Sequence, residues 1–165
     1  MMLQYFNQLK IIIDKLIEDR ESLHKLEFVL EDLQKNKGRL FIIGVGGSAA
    51  NASHAVNDFR KLCGIDAYSF DNLAELTART NDEGWETIFE SWLIGNNLTG
   101  SDMVMVFSVG GGNEEKKVSI NLVNALKYAH FMGATITGIV GRDGGYTKKV
   151  ADICVVIPTV NEYLI

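Results

Sequence analysis

A chain of 165 residues suits one domain with one core, and 47% apolar against 22% charged residues marks it as globular, not disordered. A net charge of −5 without a long basic run argues against nucleic acid or an anionic membrane as the main partner. Asp14 and Glu18 interrupt the early apolar residues, no run is long enough to span a bilayer, and Cys63 and Cys154 lack CxxC spacing. The expectation is a cytoplasmic protein with two buried thiols and no zinc cluster.

Between Leu3 and about Lys35 there is neither Gly nor Pro, and Phe6, Leu9, Ile13, Leu16, Leu23, Leu26 or Leu30, and Leu33 recur at helical spacing. The pattern predicts one helix about twice the average length, packing against another subunit as well as its own domain. Gly38, in Asn36-Lys37-Gly38, is placed to cap it. Leu40 to Ile43 then read as a strand buried on both faces. The run breaks into Gly44-Val45-Gly46-Gly47-Ser48, where three glycines permit a tight turn and close backbone approach to a ligand. Ser48 suits the N-cap of a helix to about Leu62. Strand, glycine loop and helix N-terminus make an anion site, most often for phosphate, with an ordinary tight turn as the plain alternative.

Gly64 to Ser69 predict a turn and a short strand, Leu73 to Thr80 a helix, and Asn81-Asp82-Glu83-Gly84 its interruption. Trp85 to Ile94 resume a helix. Asp102 to Phe107 form a second buried strand running into Ser108-Val109-Gly110-Gly111-Gly112-Asn113, and a long helix follows from about Glu114 to Met132, capped by Gly133. Ala134 to Val140 are a third buried strand ending in Gly141-Arg142-Asp143-Gly144-Gly145. A short helix over Tyr146 to Ala151 leads to a last strand, Ile153 to Ile157, stopped by Pro158. This alternation indicates an α/β fold, a doubly wound parallel sheet with flanking helices, whose ligands sit beyond the carboxyl ends of the strands.

All three glycine loops fall at that end. Ser48 and Ser108 offer hydroxyls without a nearby lysine, which fits a sugar phosphate better than a nucleoside triphosphate, and no Walker pattern occurs. Gly44-x-Gly46-x-x-Ala49 with Asp66 satisfies the loose dinucleotide fingerprint, leaving a nicotinamide-dependent oxidoreductase as one reading. His54 and Asp58 stand four apart on the helix after the first loop, as a base, a hydroxyl-orienting pair, two metal ligands or a solvated surface pair. Asn81-Asp82 reads as a plain turn or a substrate-facing loop. Arg60 and Lys61 read as solvated, and His24 and His130 as helix residues, His130 near a C-terminus that favours a cation.

Gly44-Val45-Gly46-Gly47-Ser48-Ala49-Ala50 with His54 and Asp58, Asn81-Asp82, Ser108 to Asn113, and Gly141-Arg142-Asp143-Gly144-Gly145 resemble, in order and spacing, the sugar isomerase (SIS) domain. They look most like its phosphoheptose isomerase branch, which interconverts sedoheptulose 7-phosphate and a heptose 7-phosphate, and the resemblance covers essentially the whole chain. It implies a flavodoxin-like three-layer fold over residues 1–165 with an oligomerisation helix over residues 2–36. It also implies a homotetramer with interfacial active sites and a role in bacterial surface heptose synthesis.

Where the family has Asn between the first two loop glycines, this chain has Val45, and its catalytic glutamate falls on Asp58. The family's serine-rich second loop is Ser108-Val109-Gly110-Gly111-Gly112-Asn113 here, which removes hydroxyls and leaves backbone amides. The family also carries a C-terminal helix with a Gln and a catalytic or metal-binding His, and no residues up to Ile165 match it. The resemblance implies phosphate contacts from Gly46, Gly47, Ser48, Ser108, Gly110, Gly111, Gly112 and Asn113. It makes Asp58 the base, His54 a sugar contact or, with Asp58, a zinc ligand, and Asn81, Asp82 and Asp143 sugar contacts. The expected function is aldose–ketose isomerisation of a phosphorylated seven-carbon sugar, with a non-catalytic sugar-phosphate-binding or regulatory subunit as the alternative.

Overall fold

The computed structural model describes residues 2–160. Five parallel strands, β1 (Arg39–Gly44), β2 (Asp66–Ser69), β3 (Met103–Ser108), β4 (Thr135–Val140) and β5 (Ile153–Val156), form one sheet in the order β2-β1-β3-β4-β5. Helices α1 (Met2–Glu18) and α2 (Arg20–Lys35) precede the sheet. The crossovers are α3 (Gly47–Lys61), then α4 (Leu73–Glu83) with α5 (Ile88–Gly95), then α6 (Ile120–Phe131), then α7 (Gly145–Val150). From β1 the chain winds outward to β2, then returns past β1 to β3 and winds the other way. The switch point, where such sheets bind ligands, therefore lies between β1 and β3. Ser48 and Ser108 stand just past those two strand ends. Among the described residues no helix is long and apolar enough to cross a membrane.

Why the strands read as unbroken apolar runs is plain from the two cores. Alternate side chains go to opposite faces: Phe41, Ile43, Val104, Val106 and Ile136 pack with α5 and α6, while Leu40, Ile42, Met103 and Met105 pack with Leu26 and Leu33 of α2 and Ala52 and Val56 of α3. Each fully buried side chain of this size contributes about 1.5–3 kcal/mol.

Several local expectations need correction. The N-terminal segment is two helices, not one. Asp19 leaves helical geometry at φ −84°, ψ 54°, and accepts from the Ser22 hydroxyl at 2.7 Å, so a short polar side chain competing for local hydrogen bonds breaks the helix without Gly or Pro. At the end of α2 it is Lys37, not Gly38, that takes the left-handed conformation at φ 56°. Gly38 is needed instead for close approach, because a Cβ there would lie 2.2 Å from the Ser101 carbonyl oxygen. Gly46, at φ 63°, caps α3, which places Ser48 inside the first turn and not at the N-cap. Asn81 and Asp82 do not interrupt a helix but close α4, which Gly84 ends. The helix expected from Glu114 begins only at Ile120: Asn113 and Val118 exchange backbone hydrogen bonds of 2.8 and 3.0 Å, and the intervening residues form a closed turn. Cys63 is exposed and Cys154 half-buried, so neither is a core thiol.

At the opposite end of the sheet from the ligand side, Arg39 and Asp102 tie β1 to the turn before β3. The guanidinium donates to both Asp102 carboxylate oxygens, at 3.0 and 2.6 Å, and to the Asn96 and Asn97 carbonyls at the end of α5, at 2.8 Å each. Asp102 is 3% exposed and also accepts from the Thr99 amide and hydroxyl. Burial alone would raise its carboxyl, but the hydrogen bonds from Arg39 and Thr99 outweigh this and hold it below the usual carboxylate range. A group depressed in this way contributes stability above its unfolded-state pKa and loses it as pH falls through the folded-state value. Asp102→Ala should therefore cost about 3 kcal/mol in urea unfolding at neutral pH, by leaving Arg39 unpaired. The wild type's loss of stability below about pH 4 should shrink in the variant.

Candidate functional site

A cavity of about 360 Å³ opens beyond the carboxyl ends of β3 and β4. Ser48 and Asn51 of α3, Ser108 after β3 and Arg142 after β4 bring polar groups to it, and Ile12, Phe107, Ile139 and Ile157 supply apolar walls. The first glycine loop borders it through Ser48. Gly44 allows that loop to turn, since a Cβ there would meet Ser48 and the Phe107 carbonyl oxygen within 3 Å. The amides of Gly46 and Gly47 have no partner among the described residues. They stand at the N-terminus of a fifteen-residue helix, whose dipole favours an anion.

The second loop is not an open nest of amides. The Gly111 amide donates to Ser108 Oγ at 3.0 Å, and the Asn113 amide to the Val118 carbonyl at 2.8 Å. Gly111 and Gly112 are buried, and their carbonyls accept from the Thr147 and Tyr146 amides of α7 at 2.8 Å each. The Thr147 hydroxyl also donates to Gly111, at 2.8 Å. This docking requires bare backbones. A Cβ on Gly111 would lie 1.9 Å from the Gly144 oxygen, and one on Gly145 would lie 2.1 Å from the Gly110 oxygen. Loops two and three are one interlocked unit. Asp143 serves the same unit, accepting from the Gly145 amide at 3.1 Å at the start of α7.

His54 and Asp58 come together as the spacing requires, with Nε2 3.5 Å from Oδ2, but they are 80% and 50% exposed. At 1.5 Å per residue they stand roughly 9 and 15 Å along the helix axis from Ser48, less the backward tilt of their side chains. Asn51, His54 and Asp58 follow one stripe of α3, spaced three, then four. The stripe starts at the cavity, where Ser48 and Asn51 line it, and runs away from it. Among the described residues no three His, Cys, Asp or Glu side chains converge on a metal-sized site. Two donors fall short of the three or four protein ligands that zinc takes, so the described residues of one chain do not fit that metal.

Other expected residues lie elsewhere. Asn81 and Asp82 are exposed on α4, bonded to each other at 2.8 Å, and do not line the cavity. Asp66 is at the amino end of β2, in register with Arg39 and accepting from the Tyr68 hydroxyl at 2.9 Å. A ribose-binding carboxylate belongs at the carboxyl end, so the dinucleotide reading loses its second element. Arg60 lies 5.0 Å over the Tyr68 ring. Sequence reasoning missed Asn51, whose signal was its place on the stripe with His54 and Asp58. It also missed Arg142 as a lining residue, although the third glycine loop contained it.

Residues 4–141 match the SIS domain family. The chain is 34% identical over 156 residues to the phosphoheptose isomerase of Aliarcobacter butzleri, covering 89% of this chain and 78% of that protein. It is 32% identical over 151 residues to the phosphoheptose isomerase of Sulfurimonas denitrificans, covering 86% and 74%. The phosphoheptose isomerase structure from Neisseria gonorrhoeae superposes with a TM-score of 0.81 at 22% identity, over 98% of this chain and 86% of that one, a likeness of fold.

The interlock makes neighbouring glycines unequal. Gly111→Ala should destabilise the fold by about 1–3 kcal/mol, since the added methyl overlaps a backbone oxygen. Gly110→Ala, whose Cβ would meet nothing closer than 3.6 Å, should stay within about 0.5 kcal/mol of wild type. Thermal or urea unfolding of the two variants measures the contrast.

Proposed function

The chain belongs to the SIS domain family, and on that premise we propose that it is a phosphoheptose isomerase, interconverting sedoheptulose 7-phosphate and the corresponding aldose. The observation that carries this reading is the α3 stripe. An anion-holding end at Ser48 and Ser108 is followed, along one helix face, by a carboxylate and an imidazole. Relatives at 34% and 32% identity bearing that name support it.

The chemistry needs a base at C1 of the ketose and a proton donor at its carbonyl oxygen. In this reading the Gly46 and Gly47 amides with the Ser48 and Ser108 hydroxyls hold the phosphate. Asp58 takes the C1 proton as the C2 carbonyl is protonated, which gives an enediol. Removal of the O1 proton and return of a proton to C2 then leave the aldehyde at C1. His54 donates to the sugar oxygens. General acid–base catalysis of this kind contributes about 10²–10⁴-fold. No metal is needed in these steps, and zinc would require further ligands from another chain or segment.

The open setting of His54 and Asp58 in one chain accords with closure by a second copy. Helix α1 buries none of its residues within the described chain, and Leu3, Phe6, Ile13 and Ile17 are more than half exposed. A homo-oligomer, a tetramer as its relatives' family implies, would cover that apolar face, and the cytoplasm is the compartment that suits such a sugar-phosphate enzyme.

The wild type should convert sedoheptulose 7-phosphate to aldose, and Asp58→Asn should lower kcat by about 10²-fold or more at unchanged Tm. Undiminished turnover would remove Asp58 from the base's role, and a wild type without conversion would overturn the isomerase reading. Ile13→Glu with Ile17→Glu should shift the light-scattering mass toward that of a monomer.

A further inference from the structure

We propose that Arg142 is the principal phosphate-gripping side chain of the cavity, in place of hydroxyls that the glycine-rich second loop lacks. The anion's identity as a sugar phosphate rests on the isomerase reading, whereas the anion site itself does not.

Four observations converge on this residue. Among the described residues, Arg142 is the one charged side chain that lines the cavity. Its guanidinium lies beside the second loop, with Nη1 3.6 Å from the place where a Cβ on Gly110 would stand. Among the described residues Arg142 has no carboxylate partner: its neighbour Asp143 is turned to the Gly145 amide. Its backbone sits at φ 54°, in the left-handed region that disfavours an arginine. Two glycine contacts hold it there, because the Gly141 amide donates to the Ser108 carbonyl at 3.1 Å and the Gly144 amide to the Gly141 carbonyl at 3.0 Å. A strained cation with no carboxylate partner among the described residues, lining the same cavity as Ser48 and Ser108, is the arrangement expected of an oxyanion clamp.

The second loop explains why a charge is required. Its Gly111 and Asn113 amides are already engaged within the protein, and Ser108 Oγ is held as an acceptor by Gly111, though its own O–H remains free to donate. A planar guanidinium supplies paired donors to a phosphate that this loop does not.

Inorganic phosphate is the probe, because it needs no catalysis to bind. Titration calorimetry should show phosphate binding to the wild type, an affinity at least tenfold weaker in Arg142→Gln, and an intermediate value in Arg142→Lys, which keeps the charge and loses the fork. Arg142→Gly should lose phosphate as Arg142→Gln does while keeping or raising Tm, since glycine accepts the left-handed backbone. A merely structural arginine would show the reverse, a lowered Tm with phosphate affinity intact. An unchanged phosphate Kd in Arg142→Gln, or a wild type that binds no phosphate, overturns the proposal whatever the isomerase assay gives. An Arg142-dependent phosphate site in a protein without isomerase activity would leave the clamp standing and remove the catalytic reading.

Discussion

The ligand side of this protein depends on one close approach, that of the backbone at Gly111 to the backbone at Gly144 and Gly145. Two loops from neighbouring parallel strands would ordinarily be kept apart by their side chains. Here the missing methyl groups let carbonyl and amide groups meet directly, through Tyr146, Thr147 and the carbonyls of Gly111 and Gly112. The loops after β3 and β4 thereby lose their independence. Whatever fixes one fixes the other, including the direction in which Arg142 leaves the backbone. Rigid placement of this kind is what a binding site on loops needs, since loops left to themselves are the mobile parts of a fold.

The sheet supplies the complementary constraint at its other end. Arg39 and Asp102 fasten β1, the end of α5 and the entry to β3 into one cluster of charged hydrogen bonds. With the amino ends of β1 and β3 held there, the two strands stay paired up to Gly44 and Phe107, and their following loops leave from a fixed spacing at the switch point. That spacing sets the distance between Ser48 and Ser108, and α3 then carries Asn51, His54 and Asp58 outward along a single line. The proposed anion site and the proposed acid–base pair would therefore be two stations on one helix, separated by its rise per residue.

Layer order and strand positions were legible because each strand is buried on both faces and reads as an unbroken apolar run between glycine loops. The placement of Ser48 and Ser108 past the strand ends, and of His54 and Asp58 on one helix face, was legible because spacing on a strand end or a helix is local information. What was not legible depended on competition between local signals. Asp19 breaks a helix that periodicity alone continues, and Asn113 closes a turn with Val118 where the pattern predicts a helix start. The second glycine loop looked like a row of free amides because sequence does not reveal that Ser108 Oγ and the Val118 carbonyl would take the Gly111 and Asn113 amides. Asp66 matched a fingerprint by its distance along the chain, but lies at the wrong end of its strand. Arg142 was visible as a residue and not as a site residue, since its role follows from where the interlocked loops direct it.

Replacing hydroxyls by a guanidinium changes how an anion site works, not only which atoms touch the ligand. Serine hydroxyls and amides hold phosphate by short, directional dipoles and are content without it. Among the described residues Arg142 pairs with no carboxylate, so its charge stays available to an anion beside the apolar walls of Ile12, Phe107, Ile139 and Ile157. In a chain with net charge −5, such a local positive field at the switch point opposes the sign of the whole molecule. It attracts anionic ligands to that place against the net charge of the chain. The left-handed backbone at Arg142 fits this logic, because the strain is tolerated where two glycine loops over-determine the conformation and the gain is realised only when an anion arrives.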